Sequence, residues 1–259
     1  MGHKLKKNPI GNTNIYLSEI GLGTVKFGRN TDIKYPKSFE IPNDKHMIDI
    51  LKTIGGLGIN YLDTAIAYGN ANERLGNLLP MIDYNFKIIA KVGERYCPIE
   101  GSKYDFSTKA LNDDFNKLKL DLNINFIECL LLHCNDNDYD KDVKNGYEAI
   151  KKMKNLGYIG AFGSSCKTWE GVNLALEMNC DVIMIEPHLF QETRQLFKKN
   201  PDTAIIVKKV FSSGNILLDN TVNPSDILDS YIQDKSILSA VIGSININHI
   251  TQNIIPLIK

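Results

Sequence analysis

Three neighbouring apolar runs end on ionisable residues of three different kinds. INYLDT (59–64) carries Asp63 and leads on to Tyr68, KIIAKV (87–92) carries Lys91, and FIECLLLH (126–133) ends on His133. Together these side chains make a coherent proton-donating set. A tyrosine hydroxyl titrates near pH ~10 in isolation, so it gives up its proton reluctantly at neutrality. A lysine ammonium close by favours the phenolate and lowers that pKa. An aspartate beside the lysine keeps the ammonium charged and in place. A histidine at the same mouth can hydrogen-bond a substrate oxygen and orient it. Such a set suits a carbonyl oxygen that turns negative as hydride reaches its carbon. Each residue alone has a plainer reading: Asp63-Thr64 as a turn, Lys91 as a rim lysine, His133 as a satisfied core histidine. Their joint arrival on consecutive runs is what the plainer readings leave unexplained.

Other chemistries find less support. No GxGxxG follows a strand-like run, and there is no Walker loop, no CxxC pair and no GxSxG elbow. His133-Cys134 and Cys166 match no standard zinc spacing, so no metal site is expected. Lys91 could act as a Schiff-base nucleophile, but Asp63 would hold it protonated.

The elements that must position these groups alternate in kind. Strand-like runs fall at 20–24, 59–64, 87–92, 126–133, 158–165, 181–186, 203–209 and 239–244. Helix-like stretches follow at 44–57, 72–80, 107–121, 142–156, 168–178, 191–199, 225–233 and 246–256. Met47, Ile48, Leu51 and Ile54 show the helical spacing in the first. Start signals stand at Asn43-Asp44 before the first helix, at Ser107 before the third and at Lys167-Thr168-Trp169-Glu170, which opens the fifth. Most strands read as nearly continuous apolar runs, which suits a parallel sheet buried on both faces. Eight β-then-α units favour an α/β chain of the (β/α)8 TIM-barrel class over an open sheet. In such a barrel the chemistry sits at the C-terminal strand ends, where Asp63, Lys91, His133, Ser165-Cys166 and Lys208-Lys209 fall. Residues 4–18 read as an N-terminal β-hairpin that could plug one end.

Composition sets the outer bounds. The 259 residues fit one barrel domain over 1–259, with no linker-like segment. Lys plus Arg and Asp plus Glu are both 30, so no basic excess points to nucleic acid or an anionic membrane. No apolar run is long enough to span a bilayer. The basic start lacks a signal-peptide core, and after Met1-Gly2 the myristoylation motif fails at Lys6. Five scattered cysteines read as the reduced thiols of a cytoplasmic protein.

The residues now on the page resemble the aldo-keto reductase family. Its pattern D-T-A-x-x-Y-G-x-S-E-x-x-L-G is similar to Asp63-Thr64-Ala65-Ile66-Ala67-Tyr68-Gly69-Asn70-Ala71-Asn72-Glu73-Arg74-Leu75-Gly76. Ala71-Asn72 replaces the family's Ser-Glu, and Asn70 or Asn72 is available for the capping role of that Ser. Lys91 and His133 resemble the family's third- and fourth-strand residues. LSEIGLGTVKFGRN (17–30), with Gly23 and Thr24, is similar to its first strand. SAVIGSININHITQN (239–253) resembles its adenosine-phosphate segment.

The resemblance implies a reductase of small carbonyl compounds, using NADPH or less often NADH. Asp63, Tyr68, Lys91 and His133 would be the catalytic tetrad and Tyr68 the general acid. The cofactor-binding set would be Gly23, Thr24, Asp63, Ser165, Cys166, Lys208, Lys209, Gly243, Ser244, Gln252 and Asn253. The chain departs from the family where Cys166 stands for Asn, Met184 for Gln and Lys208 for Tyr, and where Gly243 and His249 stand for the Lys and Arg of many members. These departures motivate an alternative, a cofactor-binding regulatory or low-activity barrel protein. The chain stops at Lys259, where many relatives extend over the pocket, so the pocket is expected to be open or shaped by loops 25–43 and 93–106. Tyr35, Phe39, Tyr96, Tyr104 and Phe106 in those loops either line a substrate site or pack the loops down. The expected assembly is a monomer or small homo-oligomer.

Overall fold

A computed structural model describes residues 5–219 and 221–258. The Met1-Gly2 start and Lys259 lie outside them. The elements in chain order open with β1 (Lys7–Pro9), β2 (Tyr16–Ser18), β3 (Ile20–Gly23), α1 (Asp44–Gly56), β4 (Tyr61–Ala65), α2 (Ala71–Leu78) and β5 (Lys87–Val92). Then come β6 (Glu94–Cys97), β7 (Gly101–Tyr104), α3 (Thr108–Leu122), β8 (Ile127–His133), α4 (Lys141–Asn155), β9 (Ile159–Ser165) and α5 (Trp169–Glu177). The last are β10 (Val182–Ile185), α6 (Pro187–Lys199), β11 (Ala204–Val207), α7 (Pro224–Gln233), β12 (Ser239–Ile242) and α8 (Ile247–Ile254).

The strands β3, β4, β5, β8, β9, β10, β11 and β12 pair in parallel, in that order, and close into a barrel. This is the expected (β/α)8 architecture. Parallel neighbours need a crossover, and the helices supply it while covering the outer face. The caps behave as the sequence indicates: Asn43 accepts from the His46 N–H, Ser107 from Ala110 and Thr168 from Gly171. The sixth helix begins earlier than expected, at Pro187, where proline's fixed φ suits the first turn.

Side chains on a strand alternate between faces, so the barrel has two cores. Outward residues pack against the helices. Inward ones, among them Tyr61, Ile89, Leu131, Ala161, Met184 and Ile206, form a separate buried cluster. The N-terminal hairpin is present, with β1 and β2 antiparallel. Its Ile10 and Leu17 are fully buried and join the inner cluster. Gly11 has φ +44°, and a Cβ there would lie 2.2 Å from the Asp202 carbonyl oxygen, just before β11. The hairpin therefore plugs the N-terminal end of the barrel, opposite the mouth. Asn60 ties it down, accepting from the Ser18 N–H at 2.8 Å and donating to the Tyr16 carbonyl at 2.9 Å.

Candidate active site

The alternation that fills the barrel also aims the site. Asp63 stands two residues beyond Tyr61, Lys91 two beyond Ile89, His133 two beyond Leu131, and Lys208 two beyond Ile206. Each partner named second is in the inner cluster, so each polar residue points inward one layer higher. Asp63, Tyr68, Lys91 and His133 all line one cavity of about 480 Å³.

Tyr68 reaches the mouth through a tight turn after β4. Its N–H donates to the Ala65 carbonyl at 3.2 Å, and its own carbonyl accepts from Ala71. Gly69 makes the turn possible: φ is +61°, and a Cβ there would meet the Gly28 oxygen at 2.1 Å. The expected capping by Asn70 or Asn72 does not occur, since the first turn of α2 has no side-chain cap. Asn72 is buried and turns back to the strand instead. It accepts from the Thr64 hydroxyl at 2.5 Å and donates to the Ala65 carbonyl at 3.0 Å, bracing the end of β4.

Within the cluster, Lys91 Nζ donates to Asp63 Oδ1, to Tyr68 Oη at 3.1 Å and to the Thr64 carbonyl at 3.4 Å. Burial disfavours a charged Lys91, but Asp63 and Tyr68 outweigh it and the pKa is raised. An ammonium so held is no nucleophile. For Tyr68, burial is the largest influence and raises the pKa, while Lys91 lowers it. The net shift is upward, against the expectation that Lys91 would dominate. Tyr68 therefore keeps its proton at neutral pH.

His133 packs edge-on to Tyr68, with ring centroids 6.1 Å apart. Burial lowers its pKa to about 4. Its Nδ1 lies 2.8 Å from Glu94 Oε2, in a bent approach that meets the distance of an ion pair but not the alignment of a good hydrogen bond. For Glu94, burial pushes upward, but His133 and the Ser102 hydroxyl (2.6 Å) prevail and hold the carboxyl at about 2. Burial is the larger influence on His133, so the pair is a neutral imidazole beside an ionised carboxylate. A proton on Nδ1 is then the favoured tautomer, leaving Nε2 as the ring's acceptor.

Glu94 escaped sequence reasoning. It begins the antiparallel β6–β7 hairpin within loop 93–106 and lines the same cavity as His133. The available signals were the Gly93-Glu94 step straight after a buried strand and Gly101, with φ +74°, at the far side of the turn.

The loop aromatics divide between the two roles. Tyr35 lines the cavity, with Phe39 edge-on behind it at 5.8 Å and Lys26 over its ring at 3.9 Å. Tyr96 stacks under Arg29 at 3.3 Å and bonds Thr31 and Asp32, locking loop 25–43 to the hairpin. Tyr104 and Phe106 pack against the outer core. Of the remaining expected site residues, Gly23, Lys208, Lys209, Gly243, Ser244 and His249 line the cavity. Thr24, Ser165, Cys166, Gln252 and Asn253 do not. Thr24 hydroxyl donates to the Asp63 carbonyl at 3.1 Å, Ser165 accepts from Lys208, and Cys166 is buried in the outer core. Gln252 and Asn253 sit in α8. Met184 is fully buried in the barrel interior. Lys209 pairs with Glu186 at 2.5 Å. Among the described residues no His, Cys, Asp and Glu group is arranged to hold a metal ion.

This arrangement has relatives. The profile of the Aldo/keto reductase family matches residues 19–225. The chain belongs to that family. Aldo-keto reductases are oxidoreductases, and Asp63, Tyr68, Lys91, Glu94, His133 and Lys208 fall inside the matched stretch. A putative aldo-keto reductase from Pseudomonas aeruginosa is 33% identical, with a TM-score of 0.82 over 97% of this chain and 95% of that one. The holo form of an aldo-keto reductase from Bacillus halodurans shares the fold at 20% identity, with a TM-score of 0.81 over 96% and 90% of the two chains. An uncharacterized oxidoreductase of Bacillus subtilis is 26% identical over 164 residues, 62% of this chain and 49% of that protein, so the match spans about half the relative's length.

Proposed function

We propose that this aldo-keto reductase reduces small aldehydes or ketones with hydride from a nicotinamide cofactor, Tyr68 acting as general acid. The observation that carries the reading is the Tyr68 hydroxyl 3.1 Å from Lys91 Nζ, itself paired with Asp63, at the rim of one cavity. A tyrosine that stays protonated at neutral pH is a proton donor rather than a base. As the proton leaves, the Lys91 ammonium stabilises the phenolate and can return a proton to it. Asp63 keeps that ammonium fixed, so little reorganisation is needed when charge develops.

His133 stands across from Tyr68, and as a neutral ring it takes a hydrogen bond from a hydroxyl beside the carbonyl or from the product alcohol. With Nδ1 turned to Glu94, Nε2 accepts from a substrate hydroxyl, and it donates to a carbonyl oxygen only when the ring is protonated. Glu94 is thus a positioning residue for the ring.

The cavity suits an anionic dinucleotide. Lys167, Lys208 and Lys209 line it together, and Gly243 leaves room where a Cβ would come 3.1 Å from the Tyr35 hydroxyl. We assign cofactor contact to Gly23, Asp63, Lys208, Lys209, Gly243 and Ser244, which line the cavity, and not to Thr24, Ser165, Cys166, Gln252 or Asn253. NADPH is the first choice and NADH the second. When bound, the cofactor supplies hydride to the carbonyl carbon. A steady-state assay with NADPH and a panel of aldehydes tests the reading. Turnover that Tyr68→Phe abolishes supports it. Tight NADPH binding with no turnover favours a binding or regulatory protein instead.

A further inference from the structure

A second amine opens into this cavity. Lys208 follows β11 at an inward position and is only 8% exposed. Its Nζ donates to the Ser165 hydroxyl, and no carboxylate lies within ion-pairing distance among the described residues. The nearest candidate, Glu186 at the end of β10, is engaged by Lys209 at 2.5 Å. The charged groups around Lys208 are otherwise cations: Lys167 after β9, Lys209 beside it, and Lys91 on β5. The imidazole of His133 on β8 also faces the cavity.

We propose that Lys208 is an imine-forming amine, a covalent site for small aldehydes that enter the cavity. A buried amine with a hydroxyl partner and cationic neighbours gains little from being protonated. Burial first, and then the neighbouring ammoniums, lower its pKa to about 7. About half of it is then the free amine at neutral pH, against roughly one part in two thousand for an ordinary lysine. Lys91 is the opposite case, since Asp63 and Tyr68 hold its charge. The Nζ lone pair attacks the carbonyl carbon to give a carbinolamine. The carbon–oxygen bond then breaks, and the oxygen leaves as water with the two hydrogens the amine carried. The product is a neutral imine, and the reaction is reversible.

The inference shares its ligand class with the proposed reductase but needs no hydride donor, so trapping without nicotinamide tests it separately from turnover. The protein is incubated with glyoxylate or acetaldehyde and sodium cyanoborohydride between pH 6 and 9, then analysed by intact mass and peptide mapping. The imine nitrogen takes up a proton from water, and cyanoborohydride then delivers hydride to the iminium carbon and fixes a secondary amine. The expected result is an adduct at Lys208 that forms at pH 7 roughly tenfold or more faster than on a lysine peptide. That rate levels off by pH 8. Lys208→Arg keeps the charge without the nucleophile and should lose the adduct. Adducts confined to exposed lysines would overturn the proposal. So would Lys208 labelling that climbs tenfold per pH unit to pH 9, or an undiminished adduct in the arginine variant. Should that variant not fold, the wild-type peptide map still decides.

Discussion

Glu94 reaches His133 from a hairpin outside the barrel wall, its Oε2 2.8 Å from the ring's Nδ1. A residue absent from the Asp63, Tyr68, Lys91 and His133 set thus bears on the tautomer of one of its members. Removing the carboxylate takes away the acceptor that lies within reach of Nδ1. We expect Glu94→Ala to lower kcat/KM by ten- to a hundredfold, with Glu94→Gln retaining most activity because its amide oxygen still accepts. Glu94 raises the His133 pKa, so the alanine variant should titrate below about 4. NMR titration of the imidazole checks the shift, and an unchanged His133 pKa would end this role for Glu94.

Tyr68, the proposed proton donor, is the sharpest target. Tyr68→Phe keeps the ring against His133 and removes only the hydroxyl. Turnover is expected to drop by about a hundred- to ten-thousandfold, the usual range for losing a general acid. NADPH affinity, read from fluorescence titration, should change little. Equal losses in both would mean that Tyr68 shapes the cofactor site rather than donating the proton.

Acid stability follows from the buried imidazole. The folded pKa of His133 is about 4, against about 6.5 for a free histidine. Below the higher value the unfolded chain binds a proton that the folded one refuses. The stabilisation is therefore complete above about pH 6.5 and is lost as pH falls toward 4, by about 3 kcal/mol. Glu94, held at about 2, adds a loss in the same direction at still lower pH. Denaturant midpoints between pH 4 and 7 for wild type and His133→Gln should converge on the acid side. A pH-independent gap between the two would contradict the assignment.

The turn that carries Tyr68 offers a structural test. Asn72→Ala removes two hydrogen bonds at the end of β4, leaving the Thr64 hydroxyl without its acceptor and the Ala65 carbonyl with the Tyr68 N–H alone from this turn. A loss of about 2 kcal/mol is expected. Gly69→Ala should cost at least as much, because φ is +61° and its Cβ would overlap the Gly28 oxygen. Thermal unfolding checks both. Full stability in either variant would show that the turn adapts.

How far the sequence carried these conclusions depended on which forces acted locally. Buried parallel strands announce themselves as apolar runs, so the barrel and the inward residues Asp63, Lys91 and His133 could be read directly. The caps Asn43, Ser107 and Thr168 are local hydrogen bonds and were equally legible. Asn72 was not, because its partners Thr64 and Ala65 compete with the cap for the same amide, and geometry alone decides between them. Glu94 was hidden in what reads as a loop, since the short, polar β6 and β7 carry no apolar run, and the contacts of Tyr96 with Arg29 and Asp32 join segments far apart in the chain. The sign of the Tyr68 shift was missed for a related reason: charge is visible in a sequence, whereas desolvation is not.

Ile10 and Leu17 close the far end of the barrel. A reaction vessel stoppered at its base has a single doorway. The little N-terminal hairpin, far from any reacting atom, thus serves with the packed interior to keep water and solutes from reaching the mouth through the floor.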